Sequence, residues 1–407
     1  MFDFISDTPS NSTAVRHKRN HLKKKIVHRM NSSGPQTIPL LSRELKISMP
    51  SVDRLIKELI ADAFVEDMGE GPSEGGRKPH QYKIKSRACY SLCLDISISD
   101  VRMALIDFNN EIHHPIKTHI KKLEDNQAYA EWLVSIIELF ILESAVPFSK
   151  ISGISVALPG LIDPDKKISR SYFTELEPNL WDFLHNKLNK DVLIDNDARL
   201  MTRGEHVFGL AAGKNDVLCI NVGAGLGMGM ILNGQLYRGN TGSAAEFGHT
   251  KGTNSLIPCY CGQEGCLETI VSGPAMEKSA MEILSTEDVS VIQKTTAAGN
   301  KNFYEGILEF AQQGHASCKK IIQDTGHELG LGISTLIILL NPEMIIIGGC
   351  FAGTGDLIIN PIKQAMHSIP VQKFAEGTEI VTSQLGHQAV LLGAHVSLIQ
   401  HLFKDVM

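Results

Sequence analysis

Apolar positions recur at helical spacing in three short stretches near the start of the chain. A basic run from Arg16 to Lys25 passes into a helical pattern with Leu22, Ile26, Val27 and Met30 on one face. Asn31-Ser-Ser-Gly34-Pro35 breaks that pattern, and a second short helix from Leu40 to Leu45 follows Thr37 and Pro39. Lys46-Ile47-Ser48 then makes a tight turn. Ser48 can cap a third helix, with Pro50 tolerated in its first turn. There Val52, Leu55, Ile56, Leu59 and Ile60 are expected to face inward, leaving Ser51, Arg54, Lys57 and Glu58 outside. Phe64-Val-Glu and Gln81-Tyr-Lys-Ile84 read as two strands around the glycine-rich stretch Gly69 to Pro79. The pattern predicts a winged helix-turn-helix whose third helix enters the major groove. Ser51, Arg54 and Lys57 on that helix, and Arg77 and Lys78 in the wing, are the candidate DNA contacts. A three-helix protein-interaction module with a basic linker is the competing reading.

From Cys89 the period changes from 3.6 to 2. Three strands are expected at Ser91 to Ile96, Val101 to Phe108 and Ile112 to His119, then a helix with Trp132, Ile136, Ile137 and Phe140 on its apolar side. Ile151 to Ala157 is a buried strand ending at Leu158-Pro159-Gly160, and Val192-Leu-Ile194 is another, leading into Asp195-Asn196-Asp197. Val217 to Val222 and Met228 to Leu232 repeat the opening hairpin, so two α/β lobes facing each other across a cleft are expected. The last helix, Gln388 to Phe403, returns to the first lobe or lies on the surface as a dimer helix.

Charge sharpens the division. The chain has 407 residues and a net charge of −6, with 43% hydrophobic and 21% charged residues, an ordinary soluble composition for two or three domains. Between Val15 and Arg87 there are 16 Lys and Arg against eight acids, which leaves that segment about +8 and the remainder about −14. A basic module attached to an acidic one suits nucleic-acid binding by the first alone. Residues 1–13 are polar and expected to be loose. The acidic start of the chain reads as no signal peptide, and the apolar run from Ile333 to Leu340 is too short to span a bilayer. Three of the eight cysteines fall in one short cluster. The other five, mostly in apolar strand-like surroundings, are expected to pack as small hydrophobes in a reducing cytoplasm.

That cluster carries the most specific chemistry. Glu246-Phe-Gly-His249 is followed by Cys259-Tyr-Cys261-Gly-Gln-Glu-Gly-Cys266-Leu-Glu268. His249, Cys259, Cys261 and Cys266 are three thiols and an imidazole within one glycine-rich segment, a donor set suited to a closed, structural Zn²⁺ site. Buried free cysteines, or a disulfide from Cys259 or Cys261 to Cys266, are the alternatives. The whole segment resembles the signature of the ROK family of sugar-responsive repressors and sugar kinases. In that family the His binds zinc through one ring nitrogen and a sugar hydroxyl through the other, and the two Glu bind further hydroxyls. The resemblance therefore assigns sugar contacts to Glu246, His249 and Glu268. It places Gly160, Asn196 and Asp197 in the same site, with Asp197 matching the general base of the kinases. Where the family usually continues Asp-Ala-Asn or Asp-Gly-Asn, this chain has Arg199. Gly-Gly-Arg-x-Pro after a winged helix is what the family's repressors carry and its kinases do not.

The resemblance runs from about residue 18 to 400 and implies an actin-like, ribonuclease-H-like sugar-kinase-type body. The expected division is a tail over 1–13, a winged helix over 14–87, a first lobe over 88–196 plus 384–407, and a second lobe over 197–383. Gly223-Ala-Gly225-Leu-Gly227-Met-Gly229 reads as a glycine-rich hairpin turn suited to close approach of backbone N–H groups to phosphate, and Gly348-Gly349 matches the family's adenosine-side turn. The opening loop does not. A kinase of the family carries Asp-x-Gly-Gly-Thr there, and this chain has Asp95-Ile-Ser97-Ile98-Ser99-Asp100, whose side chains would crowd a triphosphate and whose charge would repel it. The resemblance thus implies a dimeric, cytoplasmic repressor that binds operator DNA and a sugar or sugar phosphate and has no efficient kinase activity. A sugar kinase with a DNA-binding head, and a repressor controlled by a protein partner, are the alternatives.

Overall fold

Three helices open the chain: α1 (Ala14–Ser33) and, after the two-residue strand β1 (Gln36–Thr37), α2 (Ile38–Leu45) and α3 (Met49–Ala61). The computed structural model describes residue 4 and residues 14–71, 78–252, 256–299, 301–368 and 373–406. Thr37 caps α2, its hydroxyl accepting from the Leu40 amide at 3.3 Å, so α2 starts two residues earlier than the periodicity suggests. Ser48 stands at the start of α3 in extended conformation but makes no side-chain cap. Its hydroxyl pairs with that of Ser51 at 2.9 Å, and its carbonyl receives the Ser51 and Val52 amides. Val52, Leu55, Ile56 and Leu59 are buried as expected, whereas Ile60 is 38% exposed. The 3.6-residue stripe rotates by 100° per residue, and Ile60 falls just beyond its edge.

Strands β2 (Val65–Glu70) and β3 (His80–Ile84) complete the head, with β3 between β1 and β2. The tip between them, including Arg77, lies outside the described residues. Of the first 13 residues only Phe4 is described. It is not loose: it is buried, and its ring meets Phe64 edge-on at 5.3 Å. Much of the basic charge also proves internal. Arg19 pairs with Glu58 at 2.8 Å, Lys23 with Asp62 at 3.0 Å, Lys24 with Asp405 at 2.6 Å and Arg29 with Glu44 at 2.5 Å. Lys23 and Lys24 are buried, so α1 is held to α3 and to the far end of the chain by its cations as well as by Ile26, Val27 and Met30.

The first lobe begins with the meander β4 (Tyr90–Ile96), β5 (Asp100–Asp107) and β6 (Ile112–Ile120), followed by α4 (Gln127–Ser144) and β7 (Ile151–Leu158). A small hairpin of β8 (Ile162–Asp163) and β9 (Ile168–Ser169), then α5 (Leu180–Leu188), leads to β10 (Asp191–Asn196) and directly into α6 (Asp197–Phe208). All seven residues of β4 are buried, as a strand covered on both faces requires. The sheet order is β10-β7-β4-β5-β6.

The second lobe repeats this plan. Its strands are β11 (Val217–Val222), β12 (Leu226–Leu232) and β13 (Gln235–Leu236). Helices α7 (Glu268–Val271), α8 (Gly273–Ile283), α9 (Thr286–Gly299), α10 (Phe303–Gln312) and α11 (Ala316–Leu340) intervene before β14 (Met344–Gly349), α12 (Asp356–His367) and β15 (Glu379–Thr382). The order β15-β14-β11-β12-β13 matches the first sheet strand for strand, two antiparallel neighbours and two parallel ones. The repeat visible in the sequence as one hairpin is therefore a repeat of the whole sheet. Cys89, Cys93 and Cys219 lie at or in buried strands, but Cys318 is on α11 and Cys350 in the turn after β14.

Helix α13 (Gln388–Phe403) closes the structure. It does not lie on the surface. With α6 it fills the space between the two sheets, in one apolar cluster with Cys93, Ala157, Cys219 and Ile346. Two glycines permit the approach of the helices. A Cβ on Gly393 would stand 1.7 Å from the Leu200 carbonyl oxygen, and one on Gly204 would stand 2.0 Å from that of Ala389. The far end of α13 leaves the lobes: Leu398, Leu402 and Phe403 join Ile26, Val27, Phe64 and Phe108 in the core of the head. No helix among the described residues is long and apolar enough to cross a membrane.

Gly393→Ala is expected to cost about 3 kcal/mol or more, because the clash is with backbone and no side chain can yield. Urea unfolding should show a lower midpoint at unchanged slope, and an unchanged midpoint would contradict this packing.

Candidate functional site

Between the lobes lies a cleft, lined on one wall by the ends of β7 and β10 and on the other by the β11–β12 hairpin and the segment after it. Gly160, Asn196, Asp197, Glu246, His249 and Glu268 all line it, so the structure brings together every residue the sequence assigned to sugar. Asn196 both caps α6 and shapes the cleft. Its side-chain oxygen accepts from the Arg199 amide at 3.0 Å, while its amide nitrogen donates to the Gly160 carbonyl at 3.1 Å and to Asp197 at 3.0 Å. Gly160 adopts φ +87°, and a Cβ there would collide with Ser171 at 2.4 Å. The second Asp197 oxygen accepts from Asn221 of β11 at 3.2 Å, a bond that ties the start of α6 to the second sheet. Burial pushes the Asp197 carboxyl up to about 6, against the opposing pull of the Ala198 amide, Arg199 and Asn221. Burial also raises Glu246, partly offset by His249 and Arg199.

Glu268 opens α7, and one of its oxygens accepts from the Leu226 amide at 2.9 Å, anchoring the glycine-rich hairpin. The glycines of that hairpin serve packing first. A Cβ on Gly225 would meet Glu268 at 2.8 Å, one on Gly227 would meet Ala198 at 2.9 Å and one on Gly229 would meet Thr202 at 2.1 Å. Gly349 likewise lets the chain pass the Val222 carbonyl, which a Cβ would approach to 1.9 Å. Arg199 points away from the cleft. It is buried, binds Asp195 at 2.6 Å and donates to the carbonyls of Ile162 and Gly242 at 2.6 and 2.5 Å, tying the loop before Glu246 to the first lobe.

His249, Cys259, Cys261 and Cys266 converge, with their ligand atoms all within 4.8 Å of one another. His249 Nδ1 lies 3.6 Å from Cys259 Sγ, and Cys261 Sγ lies 3.6 Å from Cys266 Sγ. A tetrahedron with metal–sulfur bonds of about 2.3 Å and metal–nitrogen bonds of about 2.0 Å has edges of roughly 3.5–3.8 Å, so the donor set fits a metal ion. The other ring nitrogen, Nε2, faces the Tyr260 hydroxyl at 3.0 Å. Tyr260 sits between two of the cysteines and lines the cleft, a signal the sequence offered and the reading passed over.

The first-lobe end of the cleft was not foreseen in detail. The hydroxyls of Ser97 and Ser99 both donate to Asp100 at 3.0 Å, and Arg102 pairs with Asp100 at 3.1 Å and approaches Asp95 at 3.6 Å. Asn302, from the second lobe, reaches Asp100 at 3.4 Å, and His387 stands 3.7 Å from Glu305. Burial pushes Asp95 up to about 7 despite Arg102, and the neighbouring charges of Asp100 and Asp197 add to that shift. Burial and the Arg102 charge lower His387 to about 4. Arg102, Asn302 and His387 come from three distant parts of the chain, and only folding collects them.

At the opposite pole of the molecule, Ser51, Arg54 and Lys57 share the outward face of α3. Lys57 is paired along the helix with Asp53 at 2.7 Å, while Arg54 makes no ion pair among the described residues. Lys78 is exposed just before β3.

The profile described as ROK family matches residues 91–401. The chain is 26% identical over 392 residues to the xylose repressor of Bacillus spizizenii, covering 95% of this chain and 96% of that one. Among solved structures, a ROK family transcriptional regulator, titled a homolog of the E. coli MLC protein, superposes with TM-score 0.70 at 24% identity, covering 95% of this chain and 98% of that one. A ROK family glucokinase from Streptomyces griseus, in complex with glucose and AMPPNP, superposes with TM-score 0.62 at 25% identity, covering 76% of this chain and 98% of that one.

Metal analysis of the purified protein should find one ion per chain, and Cys259→Ala or Cys261→Ala should lose it and loosen the loop bearing His249. Protein free of metal as isolated, and unaffected by chelator in thermal unfolding, would remove this reading.

Proposed function

The chain belongs to the ROK family, and on that premise we propose that it is a sugar-responsive transcriptional repressor of carbohydrate genes, acting on operator DNA in the cytoplasm. In this reading residues 14–87 are a winged helix-turn-helix, with Ser51, Arg54 and Lys57 at the bases and Arg77 and Lys78 along the wing. Residues 88–196 with 384–407, and residues 197–383, are the two lobes that close on the ligand. The observation that carries the proposal is the joining of both poles in one chain, a hydroxyl-reading cleft and an outward-facing Arg54 helix. A relative named as a xylose repressor, matched over nearly its whole length, supports it.

Asn196, Asp197, Glu246 and Glu268 offer carboxylates and an amide to a ring of hydroxyls, with Gly160 leaving room for the ring. His249 presents Nε2 while Nδ1 faces the thiols, so a metal would fix its tautomer and orientation. Zn²⁺ is the ion proposed, since three thiolates and an imidazole suit it, and its contribution is structural. The ligand acts by binding the closed and open lobes with different affinity. A dimer is part of the proposal, because one helix-turn-helix makes few contacts and two-fold operators mirror two-fold proteins.

Mobility shifts on an operator from the gene's own upstream region test this. Arg54→Ala is expected to weaken operator binding by about tenfold or more, the worth of one good base contact, with a smaller effect on unrelated DNA. Wild-type operator affinity in that variant, or binding unaltered by any hexose, amino sugar or pentose, would refute the assignment.

One observation favours a second reading: Asp197 is placed as a kinase base would be, beside the hydroxyl readers. Phosphoryl transfer, however, depends on positioned phosphates, and Ser97, Asp100 and Arg102 fill that end with their own ion-pair network. ATP consumption with any of these sugars should therefore stay near background. Turnover of about one per second or more, within the ordinary range for kinases, would make the kinase reading right.

A further inference from the structure

We propose that the cleft admits an uncharged sugar and rejects the ester in which the hydroxyl at Asp197 carries a phosphate. The inference rests on the sugar-sensing reading above and narrows its ligand class.

The geometry around Asp197 leads to it. Asp197 lines the cleft together with acids of both walls, Asp95 and Asp100 of the first-lobe loop and Glu246 and Glu268 of the second lobe. A sugar held by Glu246 and Glu268, with one hydroxyl at Asp197, thus directs that hydroxyl toward the first-lobe loop of Asp95 to Asp100. Esterified, the hydroxyl would carry a phosphate, largely dianionic at neutral pH, into a region that already holds Asp95, Asp100 and Glu305.

A phosphate pocket needs donors or cations with nothing else to bind, and here the one cation and the loop hydroxyls are engaged. Arg102 is the only Arg or Lys among the described residues lining the cleft, and it is held by Asp100 at 3.1 Å and Asp95 at 3.6 Å with its side chain 13% exposed. The loop hydroxyls that could face a phosphate, Ser97 and Ser99, both turn inward to Asp100 at 3.0 Å. In the glycine-rich hairpin the Gly223 amide donates to the Gly225 carbonyl and the Leu226 amide to Glu268. Burial raises the carboxyls of Asp95 and Asp197, and at Asp95 the charges of Asp100 and Asp197 add to that shift. A neutral sugar meets none of this repulsion and supplies hydroxyl donors that carboxylates accept.

Calorimetric titration of the full-length protein with D-glucose, N-acetyl-D-glucosamine and D-xylose, each beside its terminal phosphate ester, decides the matter. At least one neutral sugar is expected to bind, with its phosphate at least thirtyfold weaker. Asp100→Asn, which removes one negative charge and releases Arg102, should narrow that ratio at least fivefold. Asp95→Asn is the second route should the first variant melt below the titration temperature. A phosphate binding as tightly as its parent sugar, or a ratio unmoved in a folded variant, would overturn the inference while leaving the sugar sensor standing. Failure of all six compounds to bind would instead remove the sugar reading itself, and this inference with it.

Discussion

Everything in this molecule depends on how closely two helices can lie. Gly393 of α13 passes over the Leu200 carbonyl and Gly204 of α6 over that of Ala389, leaving no room for side chains between the backbones. The approach lets both helices fit between the two sheets and share one apolar cluster with them. Each helix then delivers something at a distance. The first residue of α6 is Asp197, held in the cleft by Asn196 on its own side and Asn221 on the other. The last turns of α13 end in the head, where Phe403 packs near Phe108. The contact between the two helices thus joins cleft and head through continuous packing. Strand β5 spans the same two regions: Asp100 at one end meets Arg102 and Asn302 in the cleft, and Asp107 at the other accepts the Arg87 amide where the head joins the body.

The legibility of this arrangement in the sequence followed the range of the forces involved. Strands and helices with a clean period were placed to within a residue or two, β4, β7, β11 and α13 among them, because burial on a sheet or between sheets writes itself into local pattern. The convergence of His249 with the three cysteines, and of Glu246 and Glu268 on one cleft, was legible because Glu246 to Glu268 lie in one segment whose spacing is tightly constrained. Misreadings arose where a side chain's partner lies far along the chain. Lys23 and Lys24 read only as part of a basic run, yet they are buried against Asp62 and against Asp405, the latter near the other end of the protein. Ile60 read as core by residue type, although helix geometry turns it outward. Arg199 read as a departure that either alters the ligand fit or points away; it points away, and the fold uses it to clasp the Gly242 loop. The Arg102–Asp100–Asn302 network spans about 200 residues and has no local signature.

Arg199 illustrates how a departure from a motif can be informative about something other than the ligand. Its guanidinium satisfies a buried carboxylate and two carbonyls on separate loops, a set of bonds that no neutral residue of similar volume reproduces. Truncating such a residue leaves Asp195 buried with only Arg238 beside it, a loss on the order of 3–5 kcal/mol. The shape of the cleft wall before Glu246 therefore depends on a residue that never enters the cleft.

The completion of the head's core by Leu398, Leu402 and Phe403 sets an order of events during synthesis. The head is made first, yet its apolar face over Ile26, Val27 and Phe64 has no cover until the final helix leaves the ribosome, more than 300 residues later. At about 5–20 residues per second that interval lasts tens of seconds. A chain released before α13 would hold three helices and a small sheet around an open core, a form expected to bind chaperones. The arrangement thus ties the completion of the head to the synthesis of both lobes.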